Sequence, residues 1–134
     1  MTAGPVYLDT GAFIAFLDRS DHYHPAAVDL FADPPRRWCT SLAVVSETHG
    51  WFLHRLGEES ARTFRLALAD FPRLELLAVD AVHHRAVCHM LDRFRGRKLT
   101  YVDASSLVFL EKRRIREVWG TDQDLTLTGA RVIP

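Results

Sequence analysis

The stretch Val6-Tyr7-Leu8-Asp9-Thr10-Gly11-Ala12-Phe13-Ile14-Ala15-Phe16-Leu17-Asp18 decides how the rest of the chain is read. Pro5 to Leu8 is a short apolar run that reads as a buried strand, and it stops at a carboxylate, Asp9. Thr10-Gly11 follows, and then Ala12 to Leu17 as a short, very apolar helix. Strand, acid and helix in succession open an α/β unit, with a charged group at the carboxyl end of the first strand.

The alternation continues outward. Asp18 to His24 is a polar loop, and Pro25 suits the first turn of a helix through Ala27, Leu30 and Phe31 that Pro34-Pro35 ends. Arg37 to Thr40 reads as a second strand. Thr40 or Ser41 then caps a helix to about Leu56, with Val44, Thr48, Trp51 and Phe52 on its apolar stripe and Gly57 as C-cap. Glu58 to Asp70 is a further helix, Leu74 to Val79 a strand, and Asp80 caps a helix whose stripe is Val82, Ala86, Val87, Met90, Leu91 and Phe94, stopped by Gly96. Thr100 to Val102 leads into Asp103 and a helix from Ala104 to Lys112. A strand from Glu117 to Trp119 ends at Gly120-Thr121-Asp122, Leu125 to Thr128 is a turn or short helix, and Ala130 to Ile133 is a terminal strand. Strands alternating with helices predict a parallel sheet flanked by helices.

Bulk properties narrow the class. The 134 residues, 48% of them apolar, are most simply one domain, residues 1–134, with enough apolar content for a core. The 17 basic and 17 acidic residues cancel, so any basic surface is a local patch. Cys39 and Cys88 stand far apart without a CxxC spacing, which fits free thiols in a reducing compartment. No apolar run approaches the ~18 residues of a membrane span, and the N-terminus lacks a basic leader, so the chain reads as soluble and cytoplasmic, with no membrane partner.

Four acids are out of place for isolated charges. Asp9 and Asp122 end strands. Asp103 opens a helix, where a capping role is the simple explanation. Glu47 falls between Val44 and Trp51 on an apolar stripe, so it is expected to face the interior or a cleft, with a salt bridge to an arginine as the alternative. Carboxylates converging at one end of a parallel sheet repel one another unless a cation compensates them. Oxygen-only ligation of this kind suits Mg²⁺ or Mn²⁺ and not zinc, and the chemistry implied is hydrolysis of a nucleic-acid backbone.

The segments VYLDTGAFIAFLD, SLAVVSETHG, LTYVDASSL and WGTDQDL with the later GARVI resemble the four acidic motifs of PIN-domain ribonucleases, in particular the VapC-type toxins of toxin–antitoxin pairs. The resemblance spans nearly the whole chain, in order. It implies an α/β fold of three layers, α/β/α, around a short, mainly parallel sheet. It implies a Mg²⁺- or Mn²⁺-dependent ribonuclease with Asp9, Glu47, Asp103 and Asp122 as catalytic metal ligands. Thr10 would support the site and Asp124 would be structural or accessory. RNA would be the substrate, and an antitoxin protein and a second copy of the chain the partners. Leu125 departs from the pattern, where the family frequently has an aromatic residue.

Other features carry less. The histidines lack HxxxH or CxxC partners at zinc spacing. Arg95, Arg97 and Lys98 precede Asp103 and are candidates for RNA phosphates, whereas Lys112 to Arg116 reads as a solvated helix end. Phe13 to Leu17 with Phe31 is either core or a groove for an antitoxin peptide. Dehalogenase-like phosphatases need an acid where Gly11 stands, and receiver domains need paired acids and a late lysine that are not found. The remaining alternative is a PIN-like RNA- or protein-binding module without catalysis.

Overall fold

The computed structural model describes residues 4–134; residues 1–3, on which part of the expectation about the N-terminus falls, lie outside them. Five strands, β1 Val6–Leu8, β2 Trp38–Ser41, β3 Glu75–Leu77, β4 Glu117–Trp119 and β5 Arg131–Ile133, form one sheet in the order β3-β2-β1-β4-β5. Every pairing is parallel. Between them run α1 Thr10–Leu17, α2 His24–Ala32, α3 Leu42–Leu56, α4 Glu58–Asp70, α5 Ala81–Arg93 and α6 Tyr101–Lys112, and a 3-10 turn, Gln123–Thr126, connects β4 to β5.

Strand order fixes the layers. The connections from β1 to β2 to β3 step one way across the sheet, and the connection from β3 to β4 returns past β1. Right-handed crossovers place helices of opposite steps on opposite faces, so α5 and α6 cover one face and the earlier helices the other. The reversal lies at β1 and β4, and parallel sheets gather functional groups at the carboxyl ends beside such a switch point.

β1 is buried along its length, and its side chains alternate between the two faces. Tyr7 faces α6, its ring 6.5 Å from that of Phe109. On the other face Phe13 of α1 is fully buried among Phe31, Phe64 and Phe71, a burial contributing roughly 1.5–3 kcal/mol for a side chain of that size. Phe16 stacks on Phe31 at 4.3 Å. The apolar opening helix is therefore core at Ala12, Phe13 and Ala15, while Ile14, Phe16 and Leu17 are half-buried against it.

Local signals place most helix ends. Ser41 Oγ accepts from Val44 N–H, Asp80 Oδ1 accepts from His83 N–H, and Gly57 ends α3 at φ 100°. Helix α1 starts at Thr10, earlier than the Ala12 expected, because Asp9 serves as its N-cap residue. Helix α5 is rotated from the expected stripe: Val82 is 58% exposed and His83 is buried. The His83 ring stacks on Phe109 at 4.0 Å and its Nε2 meets Ser105 Oγ at 2.7 Å, so a polar ring takes the core position. Burial holds its pKa below the ordinary histidine value. Among the described residues no helix is long and apolar enough to cross a membrane.

Candidate metal centre

The first strand delivers Asp9 to the carboxyl edge of the sheet. Its amide donates to Trp119 O of β4 at 2.9 Å, continuing the register in which Leu8 faces Trp119. Asp9 is 6% exposed. Two glycines make this approach possible. A Cβ at Gly120 would lie 3.0 Å from Asp9 Cβ, and one at Gly11 would lie 2.5 Å from Thr121 Oγ1. The loop after β4 thus packs against the turn after β1 with no room for a side chain at either position.

Asp103 and Asp122 are held by backbone. Thr100 Oγ1 accepts from Asp103 N–H at 3.1 Å, and Asp103 Oδ2 accepts from Thr100 N–H at 3.2 Å, a capping box at the start of α6. The capping explanation of Asp103 is thus correct, and it uses only one of the two carboxylate oxygens. Asp122 Oδ1 accepts from Asp124 N–H at 2.9 Å, which bends the chain into the 3-10 turn. One carboxylate oxygen each of Asp103, Asp122 and Asp124 lie within 4.8 Å of one another. Asp124, expected as an accessory residue, belongs to this close group, and Asp9 stands beside it.

The carboxylates feel each other. Burial pushes the Asp9 carboxyl up to about 7, a hydrogen bond from the Thr10 backbone opposes this, and the charges of Glu47, Asp103 and Asp122 add to the rise. The Asp122 carboxyl is also raised, first by burial and then by Asp103, against the stabilising Asp124 amide. The four acids singled out in the sequence therefore share one electrostatic neighbourhood, as converging carboxylates must.

Of the two placements expected for Glu47, interior or cleft, the structure shows the cleft: it is exposed, and the inward residues of α3 are Val44, Thr48 and Phe52. No arginine pairs with it among the described residues; Thr10 Oγ1 donates to its Oε1 at 2.6 Å. Buried Thr48 donates to Val44 O at 2.7 Å and lies 3.3 Å from Thr10 Oγ1, which backs the pair from below. Glu47 also lines an open groove of about 530 Å³ with Leu42, Val79, Tyr101 and Val102.

Sequence reasoning missed the supports beneath the acids. Tyr7 is fully buried; its hydroxyl donates to Ser41 Oγ at 3.1 Å and shares a 2.8 Å hydrogen bond with Ser106 Oγ. One phenol thus ties β1 to the cap of α3 and to α6, the elements that carry Asp9, Glu47 and Asp103. Burial pushes its pKa above the ordinary tyrosine value, so it stays a neutral link. The available signal was a tyrosine inside an otherwise aliphatic strand. Arg95, Arg97 and Lys98 are exposed in the connection between α5 and α6, next to the Thr100 cap.

All donors at the centre are oxygens, at least three approach closely, and burial and mutual repulsion leave their charge uncompensated by any nearby cation among the described residues. This set fits a divalent ion such as Mg²⁺ or Mn²⁺, which takes carboxylate oxygens.

Comparison with known proteins agrees with this arrangement. The chain is 26% identical over 125 residues to the 23S rRNA-specific endonuclease VapC20 of Mycobacterium tuberculosis, covering 92% of this chain and 94% of that protein. It superposes on the crystal structure of that sarcin-ricin-loop-cleaving toxin with a TM-score of 0.86 at 25% identity, over 94% of this chain and 96% of the other. The fold also matches a DNA-bound VapBC from Salmonella typhimurium, with a TM-score of 0.64 at 20% identity over 99% and 98% of the two chains. Residues 6–130 match the PIN domain from its first strand to the threshold of its last. An all-parallel sheet with carboxylates meeting at its carboxyl edge, matched in sequence over nearly its whole length, means that this chain belongs to the PIN-domain family.

Proposed function

We propose that the chain is a single-domain, Mg²⁺- or Mn²⁺-dependent endoribonuclease that hydrolyses RNA phosphodiester bonds. The observation that carries this reading is the convergence of buried Asp9 with Asp103, Asp122 and Asp124 at the switch point of the sheet. The endonuclease role of the 26% identical relative supports RNA as the substrate.

Asp9, Asp103 and Asp122 would hold the ion, with Asp124 beside them and Glu47 at the mouth. Such an ion supplies Lewis acidity toward a scissile phosphate and compensates the clustered negative charge. The chain's own residues supply position. The capping box fixes Asp103, the Asp124 amide fixes Asp122, and the Thr10 hydroxyl aims Glu47 toward the mouth. The groove beside Glu47, with half-exposed Tyr101 on its wall, offers an aromatic surface on which an unpaired base stacks.

The toxin role is supported by the toxin character of the same relative. An antitoxin is then the expected protein partner. A second copy of the chain is proposed against the apolar surface that Leu76 and Val82, both about half exposed, leave at the β3 edge. Sedimentation equilibrium tests the dimer, and co-purification with the product of the adjacent gene tests the antitoxin. The central experiment is RNA cleavage by the wild type and Asp9→Asn, with Mn²⁺ and with excess EDTA. Cleavage by the wild type in Mn²⁺ alone is expected. Equal cleavage in EDTA would sink the metal-dependent reading, and RNA binding without cleavage would leave a non-catalytic module.

A further inference from the structure

The opposite edge of the sheet holds a second charged site. Pro5, Arg36, Arg37, Cys39, Glu75 and Arg113 surround a hollow of about 160 Å³ at the amino ends of β1, β2 and β3, with Arg73 on its wall. That volume far exceeds the ~10–15 Å³ a single water needs. Four guanidinium groups and one carboxylate line it, a formal charge of +3 in a chain whose net charge is zero.

The hollow is built. Trp38 Nε1 donates to Pro72 O at 2.7 Å, which anchors the loop that carries Arg73. Arg73 takes a left-handed backbone, φ 62°, uncommon for a side chain of that size. Its guanidinium donates to Pro35 O at 3.0 Å and to Arg36 O at 3.4 Å, clamping the segment that presents Arg36 and Arg37. Arg113 is steered by Glu75, at 3.3 Å. Arg36 and Arg37 have no ion pair or side-chain hydrogen bond among the described residues. The negative end of α6 accounts for Arg113 as a helix-end cation, but Arg36, Arg37 and Arg73 come from other elements. Arg113, read with Lys112 to Arg116 as a solvated helix end, is exposed as expected and also borders this hollow.

We propose that this arginine-lined hollow binds a phosphate group, carried by the RNA substrate or by a free phosphate compound. Planar guanidinium forks match phosphate oxygens in pairs, and a concave wall of them is preorganised for that anion. The hollow is separate from the carboxylate centre. Arg113 caps the C-terminal end of α6, ten residues beyond Asp103, about 15 Å at 1.5 Å per residue, and an RNA that reaches both gains affinity without entering the chemistry. That RNA-bound form of the proposal rests on the ribonuclease reading above; the free-phosphate form does not.

The test uses the full chain in EDTA, where binding is separated from cleavage. Arg36→Ala/Arg37→Ala, both exposed positions, is compared with Arg19→Ala/Arg85→Ala, which removes the same charge elsewhere. If RNA occupies the hollow, the first pair weakens RNA binding roughly tenfold and lowers the slope of log affinity against log salt by about 1.4, for two single-strand phosphate contacts, while the control moves little. If a free phosphate occupies it, inorganic phosphate raises the melting temperature of the wild type and not of the first pair, and RNA affinity is unchanged. The hollow is overturned if neither response appears, or if the control pair weakens RNA binding as much as the first. Arg36→Glu/Arg37→Glu deepens either effect and guards against a small signal. Wild-type protein that fails to cleave RNA in Mn²⁺ would remove the ribonuclease reading but leave the phosphate measurement standing.

Discussion

The two edges of one sheet carry opposite charge in different ways. At the carboxyl edge, Asp9, Asp103, Asp122 and Asp124 come from three connections, partly buried, and burial with the neighbouring carboxylate charges raises the Asp9 and Asp122 carboxyls. At the amino edge, Glu75 and Glu117 each hold an arginine in an exposed pair, Arg113 at 3.3 Å and Arg131 at 3.4 Å. The acidic edge is therefore a coupled unit whose like charges cost stability until something binds there. The two ion pairs at the amino edge are solvated, and each acts almost singly. Coupling follows from burial, because Coulomb terms at an effective dielectric near 20 are several times those in water.

The sharpest way to break that contrast is to neutralise one acid and measure chemistry. Asp9→Asn and Asp103→Asn should each lower Mn²⁺-dependent RNA cleavage by on the order of 10³-fold, matching the several kcal/mol a ligated ion supplies. Gel assays of a defined RNA decide it, and near wild-type cleavage by either variant would show that the acids do not act as a unit.

The same substitution sharpens the contrast in stability, with the opposite sign. Asp9 titrates at about 7 in the fold against an ordinary 3.8. A raised folded pKa means the folded state holds its proton more tightly. Metal-free stability is then full below about pH 4 and is lost as pH rises through about 7. Three pH units would amount to about 4 kcal/mol at most, and relaxation reduces this, so a gain of roughly 1–3 kcal/mol for Asp9→Asn at pH 8 is expected. Thermal melts in EDTA should show the variant above the wild type at pH 8 and the difference shrinking by pH 5. A constant difference would mean that Asp9 is not held against its own charge.

How far these edges were legible in the sequence follows the same division. The strand-end acids were readable because β1 and β4 announce themselves locally, and helix α4 runs from Glu58 to Asp70 as its spacing and Gly57 dictate. Asp124 joins the close group only because Asp122 Oδ1 captures its amide, a turn geometry that residue types alone do not rank. Glu47 was placed on the right helix with interior and cleft both open, and the choice of cleft was not legible because its partner Thr10 lies 37 residues away. His83 went unnoticed because a count of apolar residues passes over a histidine that Ser105, 22 residues on, satisfies. The arginine hollow was the least legible feature. It assembles residues 36, 37, 73 and 113, whose meeting depends on β2 lying between β1 and β3, and strand order leaves no local mark in a sequence.

Between the edges stands Tyr7. Tyr7→Phe keeps the ring and deletes the hydroxyl that joins Ser41 to Ser106, leaving two buried hydroxyls to find other partners. A loss of roughly 1–3 kcal/mol in chemical denaturation is expected. If the acidic edge depends on that link, Mn²⁺ affinity by calorimetry falls too; unchanged stability would make the network incidental.

The smallest effect belongs to the basic edge and is its most demanding test. Arg131 is 78% exposed and reaches Glu117 at 3.4 Å, beyond ideal hydrogen-bond length. Exposed pairs of this kind contribute about 0–1 kcal/mol, because solvent screens them and ordering two long side chains costs entropy. Arg131→Ala should therefore change unfolding free energy by no more than about 0.5 kcal/mol, with the same value at pH 5 and pH 8 in contrast to Asp9→Asn. Urea melts at the two pH values measure it. A loss above 1 kcal/mol would mean that charges at the amino edge are coupled as those at the carboxyl edge are, and the difference between the edges would then be one of sign alone.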